Sequence, residues 1–186
     1  MRPERDAELE NEIFESESFR GRDLSGLRTT GCTFRSCDFT LAQINGSEHV
    51  GSDFANSTFE SANLFGARFA ECRLVGASFA GATLTGLSVE GGDWSYVLLR
   101  GQDLTGLELG RVRLREADLS ETDLTDADLR GADLTRARLH NATLAGADLR
   151  EATVDGVDLS AARIAQARLD FAGAVQLARS LGAVLE

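Results

Sequence analysis

The chain has 186 residues, 26% of them charged and 42% hydrophobic, and a formal net charge of −11. That size and composition fit one globular domain, and the acidic balance excludes a non-specific phosphate binder, so no direct nucleic-acid contact is expected. No apolar run approaches the ~18 residues that cross a bilayer, and the start of the chain lacks a signal-peptide core, so a cytoplasmic protein without a membrane partner is expected.

In chain order, residues 1–11 are polar and charged and are predicted to be disordered. A fivefold repeat then occupies residues 12–171. Every fifth residue from Phe14 to Leu169 makes 32 positions, and 30 of them are Leu, Phe, Ile, Val or Trp; Thr29 and His49 are the exceptions. Two residues before each of these centres the side chain is small (Ala, Ser, Cys, Gly or Thr) in 22 of the 32 slots, and two residues after it glycine appears 15 times.

A period of five suits neither regular element. On an α-helix, steps of five rotate the apolar position by about 140°, and on a straight strand an odd period throws successive centres onto opposite faces. The conflict disappears if the chain turns once per repeat. The centre and the residue two before it then point inward, and the glycine-rich position makes the corner, where positive φ is cheapest. Small inward residues suit four walls converging on a narrow core.

The run ADLSETDLTDADLRGADL from Ala117 to Leu134 resembles the A(D/N)LXX consensus of the pentapeptide-repeat family, and the resemblance covers residues 12–171. It implies an all-β fold, a right-handed quadrilateral β-helix with four repeats per coil. Eight coils at roughly 4.8 Å give a rod about 38 Å long.

Taken in steps of 20, Phe14, Phe34 and Phe54 stack on a first wall, and Phe19, Phe39, Phe59 and Phe79 on a second. Leu24, Ile44, Leu64 and Leu84 form a third wall, and Thr29, His49, Phe69 and Val89 a fourth. After Trp94 the centres are aliphatic, so the N-terminal half should be the wider. Thr29 and His49 are expected to share a polar pocket, with His49 a neutral, hydrogen-bonded core histidine rather than a catalytic one. Cys32, Cys37 and Cys72 fall in the small inward slot as compact hydrophobes; Cys32 and Cys72 lie two coils apart, too far for a disulfide. Glu12, Glu17 and Arg22 put charge in that slot only in the first coil, which blocks edge-to-edge association at a frayed end.

After Leu169 the pattern becomes helical, with Asp170 as N-cap and Gly182 as stop. Residues 172–186 are predicted to form a helix and tail that cap the last coil and pair with a second copy, using Phe171, Val175, Ala178, Leu181, Val184 and Leu185.

Nothing resembles a zinc site, a phosphate loop or a nucleophile with its base, so no enzyme activity, metal or cofactor is expected. The surface offers two other leads. Glu116, Asp118, Glu121, Asp123, Asp126, Asp128 and Asp133 form an acidic band with Arg130 its only cation. Aspartate before the central leucine is also the family consensus, so part of the band belongs to the repeat itself. Exposed apolar residues are expected at Leu98, Val50, Val75, Phe65, Leu41 and Tyr96, with Tyr96 and Leu98 close enough to form a patch.

The uninterrupted rod, the closing helix and the stretch DLTGLELGRVRLREADLSETDL from Asp103 to Leu124 are similar to the MfpA-type branch of the family. That resemblance implies a homodimeric DNA mimic that binds DNA gyrase in competition with duplex DNA and alters fluoroquinolone susceptibility. Charge alone does not make the mimic: 38 Å of duplex carries about 22 negative charges, against a net −9 for residues 12–171, spread over the walls as −2, −3, −2 and −2. The alternative is a non-catalytic scaffolding rod with another target. Ice binding would need a flat wall of repeated threonine, and the outward slots are mixed.

Overall fold

The computed structural model describes residues 3–184. The chain coils as a right-angled β-helix whose register advances by 20 residues per turn, from the Glu8–Arg28 pair to Asp148–Arg168. Coils 1 to 8 begin at residues 12, 32, 52, 72, 92, 112, 132 and 152. Seven segments are long enough to count as strands: β1 (Glu8–Glu10), β2 (Ile13–Glu15), β3 (Arg28–Thr30), β4 (Thr33–Arg35), β5 (Glu48–Val50), β6 (Arg68–Ala70) and β7 (Ser88–Glu90). They pair in parallel as β1-β3-β5-β6-β7 and β2-β4, and single bridges 20 residues apart carry the ladders on.

The corner explains the fivefold period. Every corner residue from Asp6 to Gln166 has positive φ except Ala161, whether or not it is glycine. In many repeats the centre carbonyl accepts the N–H three residues on, as from Leu27 to Leu24 at 3.1 Å, which makes the corner the third residue of a type II turn. Between corners, N–H groups reach the next coil, for example Phe34 to the Asp53 carbonyl at 2.6 Å and Ser36 to that of Ala55 at 2.9 Å.

The core forms as the wall columns anticipate. Phe34 stacks on Phe14 and Phe54 at 4.9 and 5.0 Å, and the Phe39–Phe59–Phe79 column repeats at 4.9 Å. Trp94 closes the aromatic half, stacked on Phe79 at 5.7 Å and edge-on to Phe69. Leucines fill the coils beyond it. Thr29 and His49 do share a pocket. The Thr29 hydroxyl lies 2.8 Å from His49 Nδ1 and 2.9 Å from the Ser52 hydroxyl, and His49 Nε2 lies 3.0 Å from the Ser47 hydroxyl. Cys32, Cys37 and Cys72 are buried and unpaired.

The N-terminal end departs from expectation. Residues 3–11 are part of the fold rather than a disordered segment: β1 pairs with β3, and Leu9 is buried as one more centre of the fourth wall. The polar composition hid a single apolar residue in register, and that residue is all a strand with one inward position needs. At the other end α1 runs over Phe171–Ser180, with the Asp170 carboxylate accepting the Gly173 N–H at 3.0 Å and the Glu151 N–H at 2.8 Å.

Among the described residues the ladder breaks narrowly on the second wall between coils 7 and 8, where the Arg138–Asp158 bridge is missing beside a short 3-10 turn at Leu159–Ala161, and more widely between coils 4 and 5. Between coils 4 and 5, on the third and fourth walls, the bridges that would join Thr83 to Asp103 and Ser88 to Glu108 are missing among the described residues.

Candidate interaction surface

The seven acids of the expected band do not share a face. Asp118, Asp123, Asp128 and Asp133 precede the centres of the second, third, fourth and first walls in turn, and Glu116, Glu121 and Asp126 sit at corners. The band therefore encircles the rod.

The residue before the centre has a local task. Its carboxylate accepts the N–H two residues on, from Ser120 to Asp118 at 3.1 Å, Thr125 to Asp123 at 2.9 Å, Arg130 to Asp128 at 3.0 Å and Thr135 to Asp133 at 3.0 Å. These bonds tie down the turn that follows, as in an Asx-turn, so much of the acidic signal is conformational.

Arginine neutralises a second share. Asp118 pairs with Arg138 at 3.0 Å, Glu121 with Arg100 at 2.7 Å, Asp128 with Arg130 at 2.6 Å and Asp133 with Arg115 at 3.6 Å. The Arg130 side chain's hydrogen bond holds the Asp128 carboxyl below its ordinary value, and Arg150 likewise draws Asp148 down to about 2. Glu116 accepts the Tyr96 hydroxyl at 3.1 Å. Of the seven acids only Asp123 and Asp126 have neither an arginine nor a tyrosine partner among the described residues.

Those two belong to a wall whose middle coils lack cations. From Ser25 to Ala145, the outward and corner positions of the third wall carry polar, apolar or acidic residues and no arginine. Asp103 and Asp123 lie one above the other there, and Asp126 turns the next corner. The other walls carry ion pairs between coils, such as Arg35 and Arg73 on Asp53 at 2.8 and 3.3 Å, and Arg28 on Glu8 at 3.1 Å. Nearly equal net charges per wall concealed this contrast, because a sum does not distinguish paired from unpaired acids. Tracing the arginines in steps of 20 would have found it.

The helix residues divide differently from the expected stripe. Gly173, Gln176, Leu177 and Ser180 face the last coil: Gly173 is buried, Leu177 packs on the core, and the Gln176 amide and Ser180 hydroxyl donate to the Val157 carbonyl at 2.7 and 3.3 Å. Phe171 and Leu181 turn outward, 85% and 71% exposed, as does Val184 at 87%; Val175 and Ala178 are half-buried. The expected stripe therefore does not cap the coil. A glycine close to Leu169 and two polar side chains reaching a free carbonyl do so, a face that hydrophobic spacing cannot reveal. Leu185 lies outside the described residues.

Leu41, Val50, Phe65, Tyr96 and Leu98 are exposed as expected, while Val75 is half-buried. Among the described residues no group of His, Cys, Asp and Glu is arranged to hold a metal ion, and no helix is long and apolar enough to cross a membrane.

A family model described as pentapeptide repeats matches residues 62–93, 95–131, 122–160 and 132–170, more than half of the chain. The pentapeptide repeat protein MfpA of Mycobacterium tuberculosis is 42% identical over 61 residues, a stretch spanning 33% of this chain and 33% of that protein. Trypsin-treated QnrB1, a plasmid-mediated fluoroquinolone resistance protein, superposes with a TM-score of 0.87 at 24% identity, covering 100% of this chain and 94% of QnrB1. Full-length QnrB1 gives a TM-score of 0.54 at 19% identity, over 92% of this chain and 100% of that one. These superpositions express a shared fold.

Proposed function

Since the chain belongs to the pentapeptide-repeat family, we propose that it is a non-catalytic cytoplasmic rod that binds DNA gyrase in place of duplex DNA and thereby modulates fluoroquinolone susceptibility. The observation that carries this reading is the third wall, arginine-free from Ser25 to Ala145, on which Asp103, Asp123 and Asp126 remain uncompensated. The partial likeness to MfpA and the full-length fold shared with a fluoroquinolone resistance protein support the same direction. A basic channel shaped for duplex attracts a straight acidic rod by steering, and the contacts weaken as salt rises.

Purified protein is expected to inhibit gyrase supercoiling in low salt at micromolar concentration. Replacing Asp103, Asp123 and Asp126 together by asparagine keeps the turn-capping acceptors and removes the charges. The inhibitory concentration should rise about tenfold. No inhibition by the unaltered protein would leave a scaffolding rod as the better account.

The same reading includes a homodimer through α1, where Phe171 and Val175 line a groove with Ala152 and Val154 and Leu181 is exposed beyond it. Light scattering should give twice the 19.9 kDa chain mass, and Leu181→Asp should halve it without loss of β circular dichroism. An unchanged dimer in that variant would remove α1 from the interface.

A further inference from the structure

The break between coils 4 and 5 runs from residues 81–91 on one rim to 100–110 on the other. Elsewhere on the third and fourth walls the ladder is regular: Leu64 donates to the Thr83 carbonyl at 2.9 Å, Gly66 to Thr85 at 3.0 Å, and Asp123 to Gln102 at 2.9 Å. The equivalent N–H groups of Leu84, Gly86, Val89, Asp103 and Glu108 have no backbone acceptor in the adjoining coil. In their place is a cleft of about 270 Å³ lined by Leu84, Gly86, Leu87, Leu104, Gly106 and Leu107, among others. The first and second walls stay joined across the same junction. Leu98 donates to Ala77 at 2.9 Å, Phe79 to Leu98 at 3.0 Å and Gly76 to Ser95 at 2.9 Å, and the ladder resumes where Arg113 donates to Gly92 at 3.1 Å.

The cause lies in the small inward slot. From residue 87 to 112 that slot holds Leu87, Gly92, Val97, Gln102, Leu107 and Val112, where the coils on either side use alanine, serine or cysteine almost throughout. Leu87 and Leu107 sit one coil apart in the inward slot of the fourth wall, above Ala67 and below Ala127. The largest core side chain, Trp94, enters the same layer, and its indole N–H is buried without a partner. Filling a narrow core beyond its volume displaces backbone. Coil 5 cannot settle on coil 4 along the two walls that carry the stacked leucines. Gly92 supplies relief only on the first wall, where a Cβ would strike the Cys72 carbonyl.

We propose that the coil 4–coil 5 junction is a built-in hinge, with the corner between the first and second walls as its spine and the third and fourth walls opening and closing. Two rigid stacks, one aromatic and one aliphatic, pivot about this line, and the bend of the rod varies in solution.

The test pairs hydrogen exchange with distance measurements on the full chain. The N–H groups of Leu84, Gly86, Val89, Asp103 and Glu108 should exchange at least about 100-fold faster than those of Leu64, Gly66 and Asp123. Spin labels on Gln43→Cys and Thr143→Cys span the opening side, about five coils or 24 Å apart. They should give a broad distance distribution, whereas labels on Ser36→Cys and Arg136→Cys along the spine give a narrow one; the three native cysteines are buried. Leu87→Ala with Leu107→Ala should slow the junction amides and narrow the first distribution. Slow junction amides in the unaltered chain would overturn the hinge, and so would fast amides with equally narrow distances, since the slit would then be rigid. If the double variant does not fold, these measurements on the native core decide the matter alone.

Discussion

Stability should fall with a one-proton slope as the pH drops from 6.5 toward about 5.5, and the Thr29→Val, His49→Phe double variant should lack that slope. His49 is buried between Phe54 and Phe69, with ring centroids 4.9 and 4.8 Å away. Its two nitrogens meet only hydroxyls, at 2.8 Å from Thr29 and 3.0 Å from Ser47. One nitrogen accepts and the other donates, an arrangement that suits the neutral ring. Burial pushes its pKa from 6.5 down to about 3. The unfolded chain therefore binds a proton before the folded one does. The contribution of the neutral ring is fully present above pH 6.5, is lost progressively between 6.5 and about 3, and changes no further below that.

At about 1.4 kcal/mol per pH unit, the loss across the whole window is on the order of 4 kcal/mol, a large share of a small domain's stability. Carboxylates such as Asp148, held at about 2, add their own losses as the pH approaches and passes their ordinary value of 3.8. The interval from 6.5 to about 5.5 thus isolates the histidine, before carboxylates such as Glu90, whose ordinary value is 4.5, begin to contribute. Urea unfolding at stepped pH reads the effect directly. A double variant that keeps the native slope would show that His49 is not the group responsible.

Phe54→Ala should be the most damaging single truncation in the aromatic half, lowering stability by about 3–5 kcal/mol. Phe54 stacks on Phe34 at 5.0 Å, meets Phe69 edge-on at 5.6 Å and contacts Phe39 and Phe59 at 6.1 and 5.8 Å. Coils above and below are held at strand spacing by their own ladders, so the void cannot collapse and most of the cavity term persists. Phe65→Ala removes the same side chain from the surface of the third wall, where Phe65 is 58% exposed. That change should stay within about 0.5 kcal/mol. Similar urea midpoints for the two variants would contradict the stacked core.

The gyrase reading and the hinge stand apart. Inhibition depends on the uncompensated acids of the third wall, whereas the hinge depends on leucines beneath it. A rigid rod that inhibits gyrase would refute only the hinge, and a flexible rod without inhibition only the partner.

The rod itself was legible because its rule is local. One inward centre, one small inward slot and one corner recur every five residues, so each repeat states its own geometry without reference to distant parts of the chain. The same rule placed the Phe14–Phe34–Phe54 column and the Thr29–His49 pair correctly, since neighbours in a coiled ladder are a fixed 20 residues apart. Three features escaped it. Leu9 extends the fold into a segment that composition marks as disordered, because burial of one side chain in register outweighs the exposed charges of Glu4, Arg5, Asp6, Glu8 and Glu10. The capping face of α1 is built from Gly173, Gln176 and Ser180, whose value lies in a close approach and in hydrogen bonds to Val157 that apolar spacing does not encode. The acids separated into paired and unpaired ones only when arginines one coil away were brought beside them. Backbone path follows from short-range sterics, while ion pairing and the accumulated volume of Leu87, Trp94 and Leu107 are sums over neighbours in space, which exist only once the coils have stacked.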